Sequence, residues 1–91
     1  MKIINIYYSS HFAKAFKKLP ASIKAKTIYK ENIFRNNCFD ISLKTHKLHG
    51  ALNNYWSFSV SESHRILFEF SDKNTVGFID IGTHSIYKKH I

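Results

Sequence analysis

The chain has 91 residues and a mass of 10.7 kDa, and its 14 Lys and Arg residues against 6 Asp and Glu residues give a formal net charge of +8. This length predicts a single domain over residues 1–91, with roughly 5,500 Å² of accessible surface when folded, and excludes a second one. The single cysteine, Cys38, excludes an internal disulfide and a cysteine-ligated zinc site.

No segment approaches the roughly 20 apolar residues that a membrane span requires, and the N-terminal residues lack the apolar run and cleavage site of a secretion signal. We therefore expect a cytoplasmic protein that does not enter membranes. A basic chain favours partners of negative charge, such as nucleic acid, an acidic protein or an anionic lipid surface. The alternative is that the charge serves only solubility.

A strand and two helices are predicted in the first part of the chain. Residues 2–8 are rich in β-branched and aromatic side chains and predict the strand. Ser9 and Ser10 are good N-caps for a helix that carries Phe12, Phe16 and Leu19 on one face. Pro20 suits the first turn of a second helix, predicted over residues 21–34. We expect its buried face to comprise Ala21, Ala25, Ile28, Tyr29 and Ile33.

The second half of the chain predicts a sheet. Residues 38–45 have no clear period and are assigned as a connection with room for one helical turn. Alternating apolar and polar residues then predict strands over 55–60, 65–70 and 75–81, separated by turns at 61–63 and 71–74. The predicted fold class is α+β: an N-terminal strand, a two-helix hairpin, and a three- to four-stranded antiparallel sheet with the helices on one face.

Several of the six histidines are candidates for proton transfer near neutral pH. His84 follows the end of the last strand and Gly82, and a catalytic role and a capping role are equally compatible with that position. His46 and His49 form a weak metal-binding pattern, which would need Asp80 and His84 as further ligands, so we expect no metal and no other cofactor. His11 and His64 are interpreted as ordinary surface residues.

Arg65 stands out because the chain contains only one other arginine. Its planar guanidinium at the start of a strand is suited to binding a phosphate, and the alternative is an ion pair with Glu62 or Glu69. Tyr55 and Tyr87 flank turns and are candidates for stacking on bases, with packing as the alternative.

Four blocks of sequence together carry a family resemblance: residues 46–50, 55–60, 64–68 and 80–84. In order and spacing they resemble the RelE/ParE toxin superfamily, and within it the YafQ-like members. The resemblance implies a RelE-like, microbial-ribonuclease-type fold and the toxin of a type II toxin–antitoxin system. It further implies a metal-independent endoribonuclease that cleaves mRNA, typically on the ribosome, and an acidic antitoxin that binds it in a hetero-oligomer.

The resemblance also implies roles for individual residues. His84 matches the general acid, Arg65 the cation that stabilises the transition state, and His46 the base or a proton-positioning residue. Further candidates for catalysis or for positioning the substrate are His49, His64 and Tyr87, and His90 is a second candidate, beside Tyr87, for the C-terminal aromatic that stacks on a base. The candidate RNA-binding lysines are Lys44, Lys47, Lys88 and Lys89.

The chain departs from the YafQ-like pattern in the middle of the sheet. Ser59 and Ser63 stand where those toxins carry a histidine and an aspartate, and neither serine is a base at neutral pH. His64 compensates only if the strand register brings it to the same face. Two other functions therefore stay open: a ParE-like inhibitor of DNA gyrase, and a basic RNA-binding module without catalysis.

Overall fold

The computed structural model describes residues 1–91 and has the predicted α+β composition. Its helices are α1 (Ser10–Lys17), α2 (Ala21–Asn36) and α3 (Ile86–Lys89), and none of them has the length and hydrophobicity needed to span a bilayer. Its strands are β1 (Asn5–Tyr8), β2 (His46–Lys47), β3 (Trp56–Ser59), β4 (Arg65–Asp72) and β5 (Thr75–Gly82). A 3-10 turn at Ile41–Leu43 fills the predicted connection. The accessible surface of 5572 Å² agrees with the expectation from chain length.

The sheet has five strands in the order β1-β5-β4-β3-β2, which are the predicted N-terminal strand and a four-stranded antiparallel part, the upper number predicted. The central pairs are antiparallel as expected, but β1 lies parallel to β5, with Asn5 opposite Thr75. The alternation of apolar and polar residues along a strand indicates which face is buried but not which strand lies beside it. The parallel pairing of β1 with β5 could therefore not be predicted. The strand β2 is only two residues long, too short for any period to reveal.

The two long helices begin close to the predicted positions. The Ser9 side chain caps α1 by accepting a hydrogen bond from the Phe12 N–H at 2.9 Å. Pro20 is the N-cap of α2 and not part of its first turn, and the helix continues to Asn36.

The predicted buried face of α2 is correct at Ile33, which packs against the core, and wrong at the other positions. Ile28 and Tyr29 are 55% and 64% exposed, whereas Thr27 and Phe34 are buried. The buried stripe runs along Ile23, Thr27 and Phe34, and apolar residues around the whole helix made the pattern ambiguous. Thr27 tolerates burial because its hydroxyl donates to the carbonyl of Ile23 at 2.8 Å.

The core is a cluster of phenylalanines between α2 and the sheet. The Phe34 ring lies 4.6 Å from Phe58, 5.0 Å from Phe68 and 5.5 Å from Phe78, measured between ring centroids. These three partners come from β3, β4 and β5, so one helix residue holds the three central strands at fixed positions. Because Phe58 points toward α2, the neighbouring Ser57 and Ser59 point to the opposite face of the sheet.

Phe34→Ala should lower the free energy of unfolding by about 3–5 kcal/mol, because the large cavity left among three rings cannot collapse easily. Urea denaturation followed by far-UV circular dichroism measures the change. Ile41→Ala is the control: Ile41 is 93% exposed, and its loss should change stability by less than about 0.5 kcal/mol. Equal effects of the two substitutions would contradict the assigned core.

Candidate active site

The face of the sheet opposite α2 collects polar side chains through the strand register. His46 of β2 lies opposite Ser57 of β3, and Ser59 of β3 lies opposite Arg65 of β4. Directly opposed residues of antiparallel strands project to the same face. His46, Ser57, Ser59 and Arg65 therefore share one face, which we call the open face.

Arg65 is the centre of this face. Its Nε donates to His84 Nε2 at 3.1 Å, and its Nη1 donates to the Ser59 hydroxyl at 2.7 Å. The alternative ion pair with Glu62 or Glu69 does not form. The guanidinium is thus oriented by two neutral groups while its charge has no carboxylate partner, an arrangement that suits an anionic ligand.

His84 lies in the short loop between β5 and α3 and is exposed. Because Nε2 accepts the hydrogen bond from Arg65, this is a neutral imidazole with its proton on Nδ1. Tyr87 of α3 lies 5.8 Å from His84 between ring centroids, and its hydroxyl hydrogen-bonds Ser57 at 2.8 Å. The predicted candidates His84 and Tyr87 are therefore brought together, with Tyr87 attaching α3 to the open face.

His46 lies on the same face but forms no hydrogen bond with Arg65 or His84. Its Nδ1 lies 2.9 Å from the carbonyl oxygen of Lys44. A carbonyl only accepts, so Nδ1 carries a proton, and in the neutral form of this ring the Nε2 lone pair is free. The structure therefore brings Arg65 and His84 into contact. It leaves the third predicted catalytic residue, His46, exposed on β2, which is separated from Arg65 by β3.

The other two candidate histidines lie away from this group. His49 is exposed, and its side chain forms no hydrogen bond. His64 Nδ1 is hydrogen-bonded to the Ser63 hydroxyl at 2.8 Å. Because His64 directly precedes Arg65, it does not project to the open face. It therefore does not replace the histidine that YafQ-like toxins carry at the position of Ser59.

Two lysines lie close to Arg65. Beside Arg65 is a polar cavity of about 310 Å³, lined among others by Lys30, Lys44, Ser59 and Glu62. The predicted RNA-binding lysines Lys44, Lys47, Lys88 and Lys89 are all exposed. The only cysteine is no candidate nucleophile, because burial raises the pKa of the Cys38 thiol.

One cluster was missed by the sequence interpretation. Asp80 is 1% exposed, and its Oδ2 lies 3.0 Å from His11 Nε2 and 3.0 Å from His90 Nε2. The sequence treated His11 as an ordinary surface residue, grouped Asp80 with His46 and His49, and considered His90 for base stacking. His11 is indeed exposed, but the contact of Asp80 with His11 and His90 was not predicted, because it joins α1, β5 and α3, which are distant along the chain.

Comparison with known proteins gives structural matches only. No protein-family model and no curated protein sequence matches the chain. The YoeB/ParE toxin from Agrobacterium tumefaciens superimposes with a TM-score of 0.76 at 16% identity, covering 89% of this chain and 99% of the toxin. RelE in the RelB–RelE complex from Methanococcus jannaschii gives 0.73 at 22% identity, covering 93% and 99%. YafQ in the DinJ–YafQ complex from E. coli gives 0.70 at 24% identity, covering 94% and 97%.

These matches extend over nearly the whole length of each toxin. The chain therefore has the fold of the RelE, YafQ and YoeB/ParE toxins, and the resemblance predicted from the sequence is confirmed for the fold.

Gly82→Ala should displace α3 from the open face. A Cβ at Gly82 would lie 2.7 Å from Ile86 Cγ2, and Ile86 is 2% exposed and unable to move freely. We expect a loss of about 1–3 kcal/mol in unfolding free energy and faster hydrogen exchange at the Tyr87 amide, which bonds the His84 carbonyl. Gly77→Ala is the control, because its Cβ would meet Glu69 Cγ at an ordinary 3.8 Å. Similar exchange rates in both variants would contradict this role of Gly82.

Proposed function

We propose that the protein is the toxin of a type II toxin–antitoxin system and acts as an endoribonuclease on mRNA at the ribosome. The observation that carries this proposal is the contact between Arg65 and His84, with no carboxylate within ion-pair distance of the guanidinium. The shared fold with RelE and YafQ toxins and the net charge of +8 support it. The retained Arg65–His84 pair favours RNA cleavage over gyrase inhibition, since a protein-binding inhibitor needs no such pair.

The proposed reaction needs no metal ion. The ribose 2′-oxygen attacks the adjacent phosphorus and gives up its proton to a base, while the bond from phosphorus to the 5′-oxygen breaks and that oxygen takes a proton from an acid. The products are a 2′,3′-cyclic phosphate and a free 5′-hydroxyl. The protein must supply a base, an acid and a cation for the added negative charge, which histidine and arginine can provide.

Arg65 and His84 would change partners when the phosphate binds. An oxygen of the phosphate would take the place of the His84 ring as acceptor for the Arg65 Nε–H. His84 Nε2, released from that hydrogen bond and beside an anion, would then bind a proton and deliver it to the 5′-oxygen. Arg65 would stabilise the charge that develops on the phosphorus oxygens.

His46 is the proposed base. Its hydrogen bond to the Lys44 carbonyl leaves the Nε2 lone pair free, which is the form that can take the proton of the 2′-hydroxyl. Its exposure lets substrate reach it directly. Tyr87, fixed by Ser57, is the aromatic side chain closest to His84 and is proposed to stack on a base next to the cleaved bond.

An acidic antitoxin is the proposed protein partner. The strong positive charge of the chain favours association with an acidic protein, and two of the structural neighbours are toxins in complex with an antitoxin. Between α1 and α2 an apolar groove of about 480 Å³ includes Phe12, Phe16 and the exposed Ile28, with Lys17 and Lys24 at its margin. This groove suits an amphipathic acidic helix or strand of the antitoxin, whose apolar side chains would enter it while its carboxylates meet the lysines.

The central test is primer extension on a defined mRNA, with purified protein and with or without programmed ribosomes. The wild type should produce discrete cuts that need the ribosome. His84→Ala and Arg65→Ala should each lower the rate at least about 100-fold, because each removes a group that acts on the transition state.

His64→Ala is the matched histidine control and should keep the wild-type rate, since its ring is bonded to Ser63 away from the open face. Cuts that persist unchanged in His84→Ala would refute the acid assignment. RNA binding without cyclic-phosphate products would favour the non-catalytic RNA-binding module. If the protein neither binds nor cleaves RNA, inhibition of DNA gyrase would be favoured.

Lys44→Ala and Lys47→Ala should weaken RNA binding with little dependence on sequence. Each lost phosphate contact should make the slope of log affinity against log salt shallower by about 0.7 for single-stranded RNA. Fluorescence anisotropy of a labelled oligonucleotide at several salt concentrations measures this slope. Lys14 is an exposed lysine on α1, and Lys14→Ala should leave the slope unchanged. An equal effect of Lys14→Ala would show that RNA binds to the positive charge of the whole surface and not to a defined site.

A further inference from the structure

Asp80 is a buried carboxylate with no lysine or arginine partner. Its Oδ1 accepts the backbone N–H of Ile81 at 2.8 Å, and its Oδ2 is shared by two imidazole nitrogens. A buried carboxylate needs compensating positive charge or strong hydrogen bonds. Imidazole nitrogens and a carboxylate oxygen are also ligands of divalent metal ions, so this position suits the binding of a cation.

The three side chains present one ligand atom each toward a common point. His11 Nε2, Asp80 Oδ2 and His90 Nε2 all lie within 4.8 Å of one another, and the two N–O distances are 3.0 Å. In a tetrahedral zinc site with metal–ligand bonds near 2.0 Å, neighbouring ligand atoms lie about 3.3 Å apart. The two N–O distances need to lengthen by only a few tenths of an ångström, and rotation of the two imidazole side chains would bring their nitrogens around an ion.

The chemistry of the three ligands is that of a zinc site. Two imidazoles and one carboxylate, with water as the fourth ligand, form a known zinc ligand set. The backbone N–H of Ile81 holds the second carboxylate oxygen, as the outer hydrogen bonds of metal sites do. His11 is half-exposed, with 52% of its side chain accessible, which leaves room for the water ligand and a path for the ion.

We propose that His11, Asp80 and His90 form a binding site for a divalent transition-metal ion, with Zn²⁺ as the ion of best-matched chemistry. Its three residues form no hydrogen bond with Arg65 or His84, and we assign the ion no part in the RNA cleavage proposed above. The ion joins the first turn of α1 to β5 and to the C-terminal cap of α3. Its role is structural: it holds in place the helix that carries Tyr87 and follows His84.

The test is titration of the whole, tag-free protein with Zn²⁺ in competition with a chromophoric chelator. The wild type should bind one Zn²⁺ per chain. His11→Ala and His90→Ala should each weaken binding at least about 100-fold, since losing a ligand costs no less than losing one of its supporting hydrogen bonds. His49→Ala and His64→Ala, which remove histidines elsewhere on the surface, should bind as the wild type does.

Two further measurements detect metal binding directly, so that neither a folding defect in a variant nor a failure of the proposed RNA cleavage affects the conclusion. Zn²⁺ should raise the melting temperature of the wild type and leave that of His11→Ala unchanged, because an ion bound only to the folded chain stabilises it. Co²⁺ in the same site should give the intense visible absorption of tetrahedral coordination. Unaltered Zn²⁺ affinity in His11→Ala, or binding that is lost only in His49→Ala or His64→Ala, would overturn the proposal.

Discussion

The packing of Phe34 against three phenylalanines of the sheet is the contact on which the remaining structure depends. The ring meets β3, β4 and β5 at once and fixes both their register and the face that they bury. Once Phe58 is directed toward α2, the alternation of the strand directs Ser57 and Ser59 to the other side. The open face therefore follows from the core: a slip of β3 by one residue would bury serines under α2 and expose phenylalanine to substrate.

The chemistry of the open face depends on the absence of an ion pair to Arg65 as much as on its hydrogen bonds. A guanidinium bonded only to a serine hydroxyl and an imidazole keeps its full charge for a ligand. An ion pair with a nearby glutamate would have supplied a competing anion. The same contact occupies the Nε2 lone pair of His84, so in the proposed mechanism the phosphate must displace it before that nitrogen can carry the proton.

The C-terminal helix is short, and its position depends on contacts at both of its ends. Gly82 allows Ile86 to lie directly against the strand, and Tyr87 is bonded to Ser57 on the sheet. At the other end His90 contacts the buried Asp80. A four-residue helix has too few internal hydrogen bonds to be stable alone, so these contacts keep the loop with His84 over Arg65.

The sequence by itself determined the fold class, the strands β3, β4 and β5, the helices α1 and α2, and the candidate residues Arg65 and His84. Hydrophobic period and short motifs are local properties of the chain. Only the tertiary structure decided that β1 pairs with the last strand, that α2 buries Phe34 and Thr27 and not Ile28, and that His84 bonds Arg65 while His46 does not. It also decided that Asp80 meets histidines from the two ends of the chain. Such contacts depend on which distant segments pack together, and no local period or spacing encodes that choice.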